Sequence, residues 1–365
     1  MKLSLIFLLG FLTSLAHGYE TISDVVYDEI NGVKLGLDVF TPSKFSLWSR
    51  PALVFIHGGC FSAGSRKDIP EEMKKLADEG IVVFSVSYRH STVAKYPAAL
   101  KDLQQAIRFI RRNSLHYRIN PKKIIVHGES AGGTLAAYLG VKPITNREGK
   151  IDTLSQRLPY VSEWYGRTDF TAGQATGTDC AESFLGMKRG PETMEAFRKA
   201  SILTSLDEKS AEFFIIHGTN DQQVYSNHST LLANKLWSLG KKAELYFNEN
   251  QGHAFDRKIP WILTKNRILS FAGIEEKSPA VPPFYELEFS LYERRETKEK
   301  FDLDLIFGIG PKALVLSQLG SEDFNAQRSI EGKIGIISKS QKHHLRLQNE
   351  NIDLTSSSAE IKAIP

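Results

Sequence analysis

Lys123-Ile124-Ile125-Val126-His127-Gly128-Glu129-Ser130-Ala131-Gly132-Gly133-Thr134-Leu135-Ala136-Ala137-Tyr138-Leu139 is the stretch on which the fold turns. It opens with a short β-branched apolar run that reads as a buried strand, and from Ala131 to Leu139 it reads as a helix. Only Gly128-Glu129-Ser130-Ala131-Gly132 lies between them, a G-x-S-x-G. Alone this pentapeptide is a weak signal, but strand, sharp turn and helix around it make the layout of a nucleophile elbow. The serine backbone of an elbow is strained and the helix passes close to the strand, so small neighbours are required. Gly128, Ala131, Gly132 and Gly133 meet that requirement. The competing reading, a glycine-rich helix start capped by Ser130, is the weaker one.

Outward from the elbow, apolar runs alternate with amphipathic stretches. Ala52-Leu53-Val54-Phe55-Ile56, Ile81-Val82-Val83-Phe84-Ser85-Val86, Phe213-Phe214-Ile215-Ile216 and Ala243-Glu244-Leu245-Tyr246-Phe247 read as strands, and Leu158-Pro159-Tyr160-Val161 leads to a weaker one. Helices are expected at 69–79, 96–112, 226–239 and 261–271; in the second, Leu100, Leu103, Ile107 and Ile110 share one face. Such alternation gives βαβ units, so the fold class is α/β, a mostly parallel sheet with helices on both faces. Ligands then bind at the carboxyl ends of the strands, and chemistry-bearing residues belong just after apolar runs.

A serine hydroxyl needs a base, expected later in the chain in the order serine, acid, histidine. His253, in a loop after the strand ending at Phe247, is placed for that role. His228 reads as a solvated helix residue, and His343 and His344 lie in the C-terminal part. Asp221, just beyond the strong 213–216 strand, is the orienting acid for His253. Asp169, Asp179 and Asp207 lack so strong a preceding strand, Glu129 has the wrong chain order, and all four read as surface carboxylates. Phe55-Ile56-His57-Gly58-Gly59-Cys60-Phe61 ends a strand in a glycine pair, so the amides of Gly58 and Gly59, with that of Ala131, are the expected oxyanion donors. His57, His127 and His217 read as packed structural residues.

With these residues in view, the sequence resembles an α/β-hydrolase of the esterase and lipase superfamily, in the branch with His-Gly-Gly-Gly oxyanion loops. That branch includes microbial carboxylesterases, acetyl-xylan and feruloyl esterase-like enzymes and hormone-sensitive-lipase relatives. The resemblance rests on His57-Gly58-Gly59-Cys60-Phe61, Ser87-Tyr88-Arg89, Tyr96-Pro97-Ala98-Ala99-Leu100, His127 to Gly133, Tyr165-Gly166-Arg167-Thr168-Asp169, His217 to Asp221 and Gly252-His253-Ala254-Phe255. It implies Ser130 as nucleophile, His253 as base and Asp221 as its partner, in a serine carboxylic-ester hydrolase without metal or cofactor. Two departures stand out. Cys60 replaces the third glycine, which puts Cys60 and Phe61 beside the substrate pocket and, if Cys60 is a free thiol, predicts sensitivity to mercurials. The chain before the first strands is also too short for an N-terminal helical cap, which favours an open site for short-chain or carbohydrate-linked esters; the insert from Thr171 to Phe197 would form a partial lid. The rival readings are an amidase or peptidase on the same scaffold, arylformamidase-like, and a non-catalytic recognition protein.

The rest of the chain sets bounds. Lys plus Arg number 46 against 42 Asp plus Glu, so a net charge of +4 over 365 residues gives no electrostatic case for nucleic acid. Two cysteines, Cys60 and Cys180, cannot make a disulfide framework or a metal cluster. Residues 1–18 combine a basic start, an apolar run too short to span a bilayer and Ala16-His17-Gly18, the pattern of a signal peptide, so a secreted or periplasmic protein beginning near Tyr19 and not inserted in a membrane is expected. A hydrolase domain over 19–275 is then followed by a Pro-rich joint at 276–283, a small antiparallel β-rich module at 284–354 of unknown partner, and a disordered tail at 355–365.

Overall fold

A computed structural model describes residues 18–44, 46–172 and 179–275, and beyond them the backbone of six strands. The leader expected at 1–18, apart from Gly18, and the joint at 276–283 lie outside the described residues. Eight strands form the body of the main sheet: β1 (Tyr19–Ile30), β2 (Val33–Pro42), β3 (Arg50–Ile56), β4 (Val82–Val86), β5 (Ile119–Glu129), β6 (Tyr160–Trp164), β7 (Glu212–Gly218) and β8 (Ala243–Asn248). Their spatial order is β1-β2-β4-β3-β5-β6-β7-β8; β1 and β2 pair antiparallel, β2 pairs antiparallel with β4, and every later neighbour is parallel. The β1–β2 hairpin has no counterpart among the expected strands. It shows apolar continuity only in Val39 and Phe40 beside Leu35 and Leu37, while most of β1 faces solvent.

The helices are α1 (Glu71–Lys74), α2 (Ala98–Arg112), α3 (Ala131–Val141), α4 (Cys180–Leu185), α5 (Met194–Ala200), α6 (Asn227–Ser238) and α7 (Lys258–Ala272). The helix expected over 69–79 is shortened to α1 and a 3-10 turn, Lys75–Ala77, because Pro70 starts it late and Gly80 at φ 99° ends it. Two cores flank the sheet, as the strand period of two requires. Ala52, Val54 and Ile56 of β3 point with Phe213 and Ile215 of β7 toward Leu103 and Ile107 of α2, Leu135 of α3 and Leu236 of α6. Leu53 and Phe55 point the other way, with Phe214 and Ile216, toward Met73 of α1 and Leu263 and Leu269 of α7. Strands buried on both faces explain why these runs are continuously apolar in the sequence.

Past residue 283 the backbone pairing differs from the expected separate antiparallel module. β9 (Phe284–Tyr292), β12 (Ile330–Ile337) and β14 (Ser358–Ile364) continue the main sheet, β12 running parallel beside β8 and β9 lying antiparallel between β12 and β14. β10 (Asp304–Ile309), β11 (Lys312–Leu316) and β13 (His344–Gln348) make a three-stranded antiparallel sheet. The stretch 358–364, expected within a frayed tail, is strand; its alternation Ala359-Glu360-Ile361-Lys362-Ala363-Ile364 is the signal that the Ser-rich run before it obscured.

Candidate active site

β5 delivers the elbow. Ser130 stands between β5 and α3 at φ 55° and ψ −122°, a conformation costly for a non-glycine residue, and its N–H donates to the Trp164 carbonyl at 2.9 Å, which braces the turn on β6. The glycines are required by contact: a Cβ on Gly128 would lie 2.1 Å from the Gly132 carbonyl oxygen, and one on Gly132 would lie 2.1 Å from that of Ile56.

The structure brings Ser130, His253 and Asp221 together from the ends of β5, β8 and β7. His253 Nε2 lies 2.9 Å from Ser130 Oγ and His253 Nδ1 lies 2.7 Å from Asp221 Oδ2. A carboxylate partner fixes the tautomer: Nδ1–H donates to Asp221, and Nε2 accepts from the serine hydroxyl. Asp221 is fully buried, and its other oxygen accepts the backbone N–H groups of Gln223 and Val224, each at 2.9 Å. Burial alone would push its carboxyl up, but hydrogen bonds from His217 and His253 hold it well below the usual range, so it stays ionised. His217 is a packed residue with a specific task. Its Nε2 lies 2.8 Å from the Val224 carbonyl and 3.3 Å from Asp221 Oδ2, while its Nδ1 lies 2.7 Å from Ser229 Oγ.

Of the expected oxyanion donors, Gly58 abuts the elbow: a Cβ there would be 3.0 Å from the Glu129 carbonyl oxygen and 3.4 Å from Ser130 Cβ. Ala131 is the first residue of α3, so its N–H has no intrahelical acceptor. Gly59 adopts φ 102°, and its carbonyl accepts from the N–H groups of Ser62 and Ala63.

Cys60 and Phe61 differ from expectation. Cys60 is disulfide-bonded to Cys180, the first residue of α4, across 120 residues with Cα atoms 5.2 Å apart, and there is no free thiol. Phe61 is 2% exposed; its ring stacks on Phe184 of α4 at 4.0 Å and meets Phe170 edge-on, so it packs inward. Both residues hold left-handed φ values, 53° and 59°, which cost about 1 kcal/mol or more each. The disulfide and the stack offset that strain and tie the oxyanion loop to the insert. Closing so long a loop contributes up to about 5 kcal/mol in the chain-entropy account. Mercurials are therefore expected to leave activity unchanged, and the Cys60→Ser/Cys180→Ser pair to lower Tm by more than 5 °C; differential scanning calorimetry and an ester assay check both.

Several residues read as surface groups are tied to specific partners. His228 is buried on α6, its Nδ1 3.3 Å from the Asp169 amide, and burial pushes it down to about 3. Asp179 caps α4 and pairs with Arg167 and Arg189 at 3.1 and 2.6 Å. Asp169 accepts from Thr171 and Ser201, and Asp207, half-exposed, pairs with Arg157. Glu129 is buried among three donors: Arg257 Nη1 at 2.6 Å, the Tyr165 hydroxyl at 2.9 Å and His127 Nε2 at 3.5 Å. Its main partner, Arg257, lies four residues past His253 and 128 residues from Glu129 in the chain, too far for a local reading to join them.

Glu163 on β6 is a further buried acid. One oxygen accepts the Gly166 N–H, the other has no partner among the described residues, and burial pushes the carboxyl up to about 8. The unfolded chain loses this proton near pH 4.5, the folded protein only near 8, so stability should fall as pH rises between them, by about 1.4 kcal/mol per pH unit at most. Glu163→Gln is expected to flatten that slope; urea melts at pH 5 and 8 measure it, and an unchanged slope would exclude Glu163 as its source. Among the described residues no group of three or more His, Cys, Asp and Glu side chains is placed to hold a metal ion, and no helix is long and apolar enough to cross a membrane.

A mostly parallel sheet between two helical layers, with a serine on a strand-to-helix turn and its acid and histidine on later loops, defines an α/β-hydrolase. Within that class the chain belongs to the BD-FAE family, whose family model matches residues 37–236, more than half of the sequence. It is similar to a probable carboxylic ester hydrolase, LipM, of Mycobacterium tuberculosis, 27% identical over 65% of this chain and 57% of that protein. It is also similar to the esterase LipQ of the same organism, 26% identical over 56% of this chain and 50% of LipQ. The chain thus spans about half the length of the curated relatives it matches. Among solved structures, a truncated carbohydrate esterase from gut microbiota shares the fold with a TM-score of 0.62 at 24% identity, covering 71% of this chain and 98% of that one. A thermophilic esterase from Thermogutta terrifontis superposes with a TM-score of 0.60 at 23% identity, covering 72% and 95%.

Proposed function

We propose that the protein is a secreted serine hydrolase that cleaves carboxylic esters of short acyl groups, including carbohydrate-linked ones, through an acyl-enzyme. The observation that carries this reading is the continuous hydrogen-bond line from Ser130 Oγ through His253 to Asp221. His253 Nε2 takes the serine proton as Oγ bonds to the ester carbonyl carbon, and the N–H groups of Gly58, Gly59 and Ala131 receive the oxygen as it becomes negative. Asp221 balances the imidazolium. When the intermediate collapses, the alkoxy leaving group takes the Nε2 proton and departs as an alcohol. Water, deprotonated in turn by His253, then attacks the acyl carbon, releases the acid and returns the proton to Ser130.

The preference for short and carbohydrate-linked esters is supported by the likeness to a carbohydrate esterase and to an acetyl ester-xyloside bifunctional hydrolase. Export is supported by the basic and apolar start of the chain and by a disulfide, which persists in oxidising compartments. A fluorophosphonate should label Ser130, and hydrolysis of p-nitrophenyl esters should fall at least tenfold from acetyl to octanoyl. Labelling elsewhere would sink the mechanism, and equal rates across the series would sink the acyl preference. Sequencing the protein recovered from outside the cytoplasm should give Tyr19 at or near its start.

A further inference from the structure

The residue before the nucleophile does more than fill the variable place of its motif. Glu129 ends β5 and is covalently next to Ser130, and its carboxylate gathers contacts from both loops around His253. Arg257 leads into α7, four residues past His253. Its guanidinium donates to Glu129 from Nη1 at 2.6 Å and to Glu72 of α1 from Nε at 2.7 Å, and lies 4.9 Å over the Trp164 ring. Tyr165, just after β6, donates its hydroxyl to the same Glu129 oxygen, and its ring meets the His253 imidazole at 4.8 Å, inclined by 64°. Phe255 closes the cluster against Tyr165 at 5.0 Å and Trp164 at 5.3 Å. The imidazole is held at Nδ1 by Asp221, and its ring by Tyr165; without the ring contact it can swing about the Asp221 bond and leave Ser130.

We propose that Glu129 is a positioning residue: through Tyr165 and Arg257 it holds the His253 ring and its loop in line with Ser130. This inference rests on the reading of Ser130 and His253 as nucleophile and base. Four further groups bear on the charge balance: His127 faces Glu129 from β5, Glu72 faces Arg257 from α1, and Asp221 and His217 face the histidine side. Burial pushes His127 down, so it is neutral, and contacts with His127 and Arg257 outweigh burial in holding Glu129 down to about 2. The carboxylate is therefore ionised near neutral pH, and it shares the Arg257 cation with Glu72.

The test measures kcat, KM and the acid limb of the kcat/KM profile for Glu129→Gln, Arg257→Gln, the double variant and Tyr165→Phe. Glu129→Gln should lower kcat about tenfold with KM within twofold. It removes one of the two carboxylates on Arg257, so the surroundings of the imidazole become more positive and the acid limb moves to lower pH; Arg257→Gln removes the cation from Glu129 and moves the limb to higher pH. The double variant should return the limb toward the wild-type position while kcat stays low. Tyr165→Phe keeps the packed ring and removes only the hydroxyl, so it tests the link even if the charge variants fold poorly; a kcat loss of several-fold is expected. Wild-type kcat and acid limb in both Glu129→Gln and Tyr165→Phe would overturn the inference. Failure of the wild-type serine to take the fluorophosphonate label would instead overturn the reading beneath it.

Discussion

Ser130→Ala should lower kcat on a short p-nitrophenyl ester by about four to six orders of magnitude with little change in Tm. The size follows from the chemistry: among the described residues no other hydroxyl is held on His253 Nε2, so loss of Oγ leaves only binding and the oxyanion donors. His253→Ala should cost a similar amount and the double variant hardly more, because the two groups act as one unit. Asp221→Asn tests the third member. An amide can present its N–H to Nδ1, which favours the wrong tautomer and sends the Nε2 lone pair away from its task; a loss of about 10⁴ is expected. Single-turnover kinetics give these numbers, and a variant of Ser130 with wild-type turnover would end the acyl-enzyme account.

Gly132→Ala should be the most damaging substitution that removes no functional group. A methyl at this position would lie 2.1 Å from the Ile56 carbonyl oxygen and 2.6 Å from that of His57. Neither neighbour can yield, since β3 is in the middle of the sheet and His57 begins the oxyanion loop. We expect a loss of about 3 kcal/mol or more, measured by urea melts, with activity falling further than the unfolded fraction explains. Gly190→Ala is the matched control: nothing lies within 4 Å of the added methyl, and a change within about 0.5 kcal/mol is expected. Equal effects at the two positions would show that close approach is not what Gly132 serves.

The members of the site that follow buried strands were readable because such strands are continuously apolar. Phe213-Phe214-Ile215-Ile216 marks Asp221 and Ala243 to Phe247 marks His253, and the chain order then assigns the roles. What escaped depends on partners distant in sequence. Cys60 and Cys180 are 120 residues apart, and nothing local says that the oxyanion loop meets α4. Glu129, Asp179 and His228 look solvated in a linear reading because their charges or polar rings are satisfied by Arg257, Arg167 and the Asp169 amide. The β1–β2 hairpin was missed for the opposite reason: an edge strand exposed over much of its length carries no strong apolar period.

The pairing of β12 beside β8 changes what the last ninety residues mean for solubility. A chain stopped at the proline-rich joint would leave the β8 edge of a large parallel sheet with a row of unanswered amides and carbonyls, a template for another copy of itself. With β12 paired along it, that row is already answered within the chain.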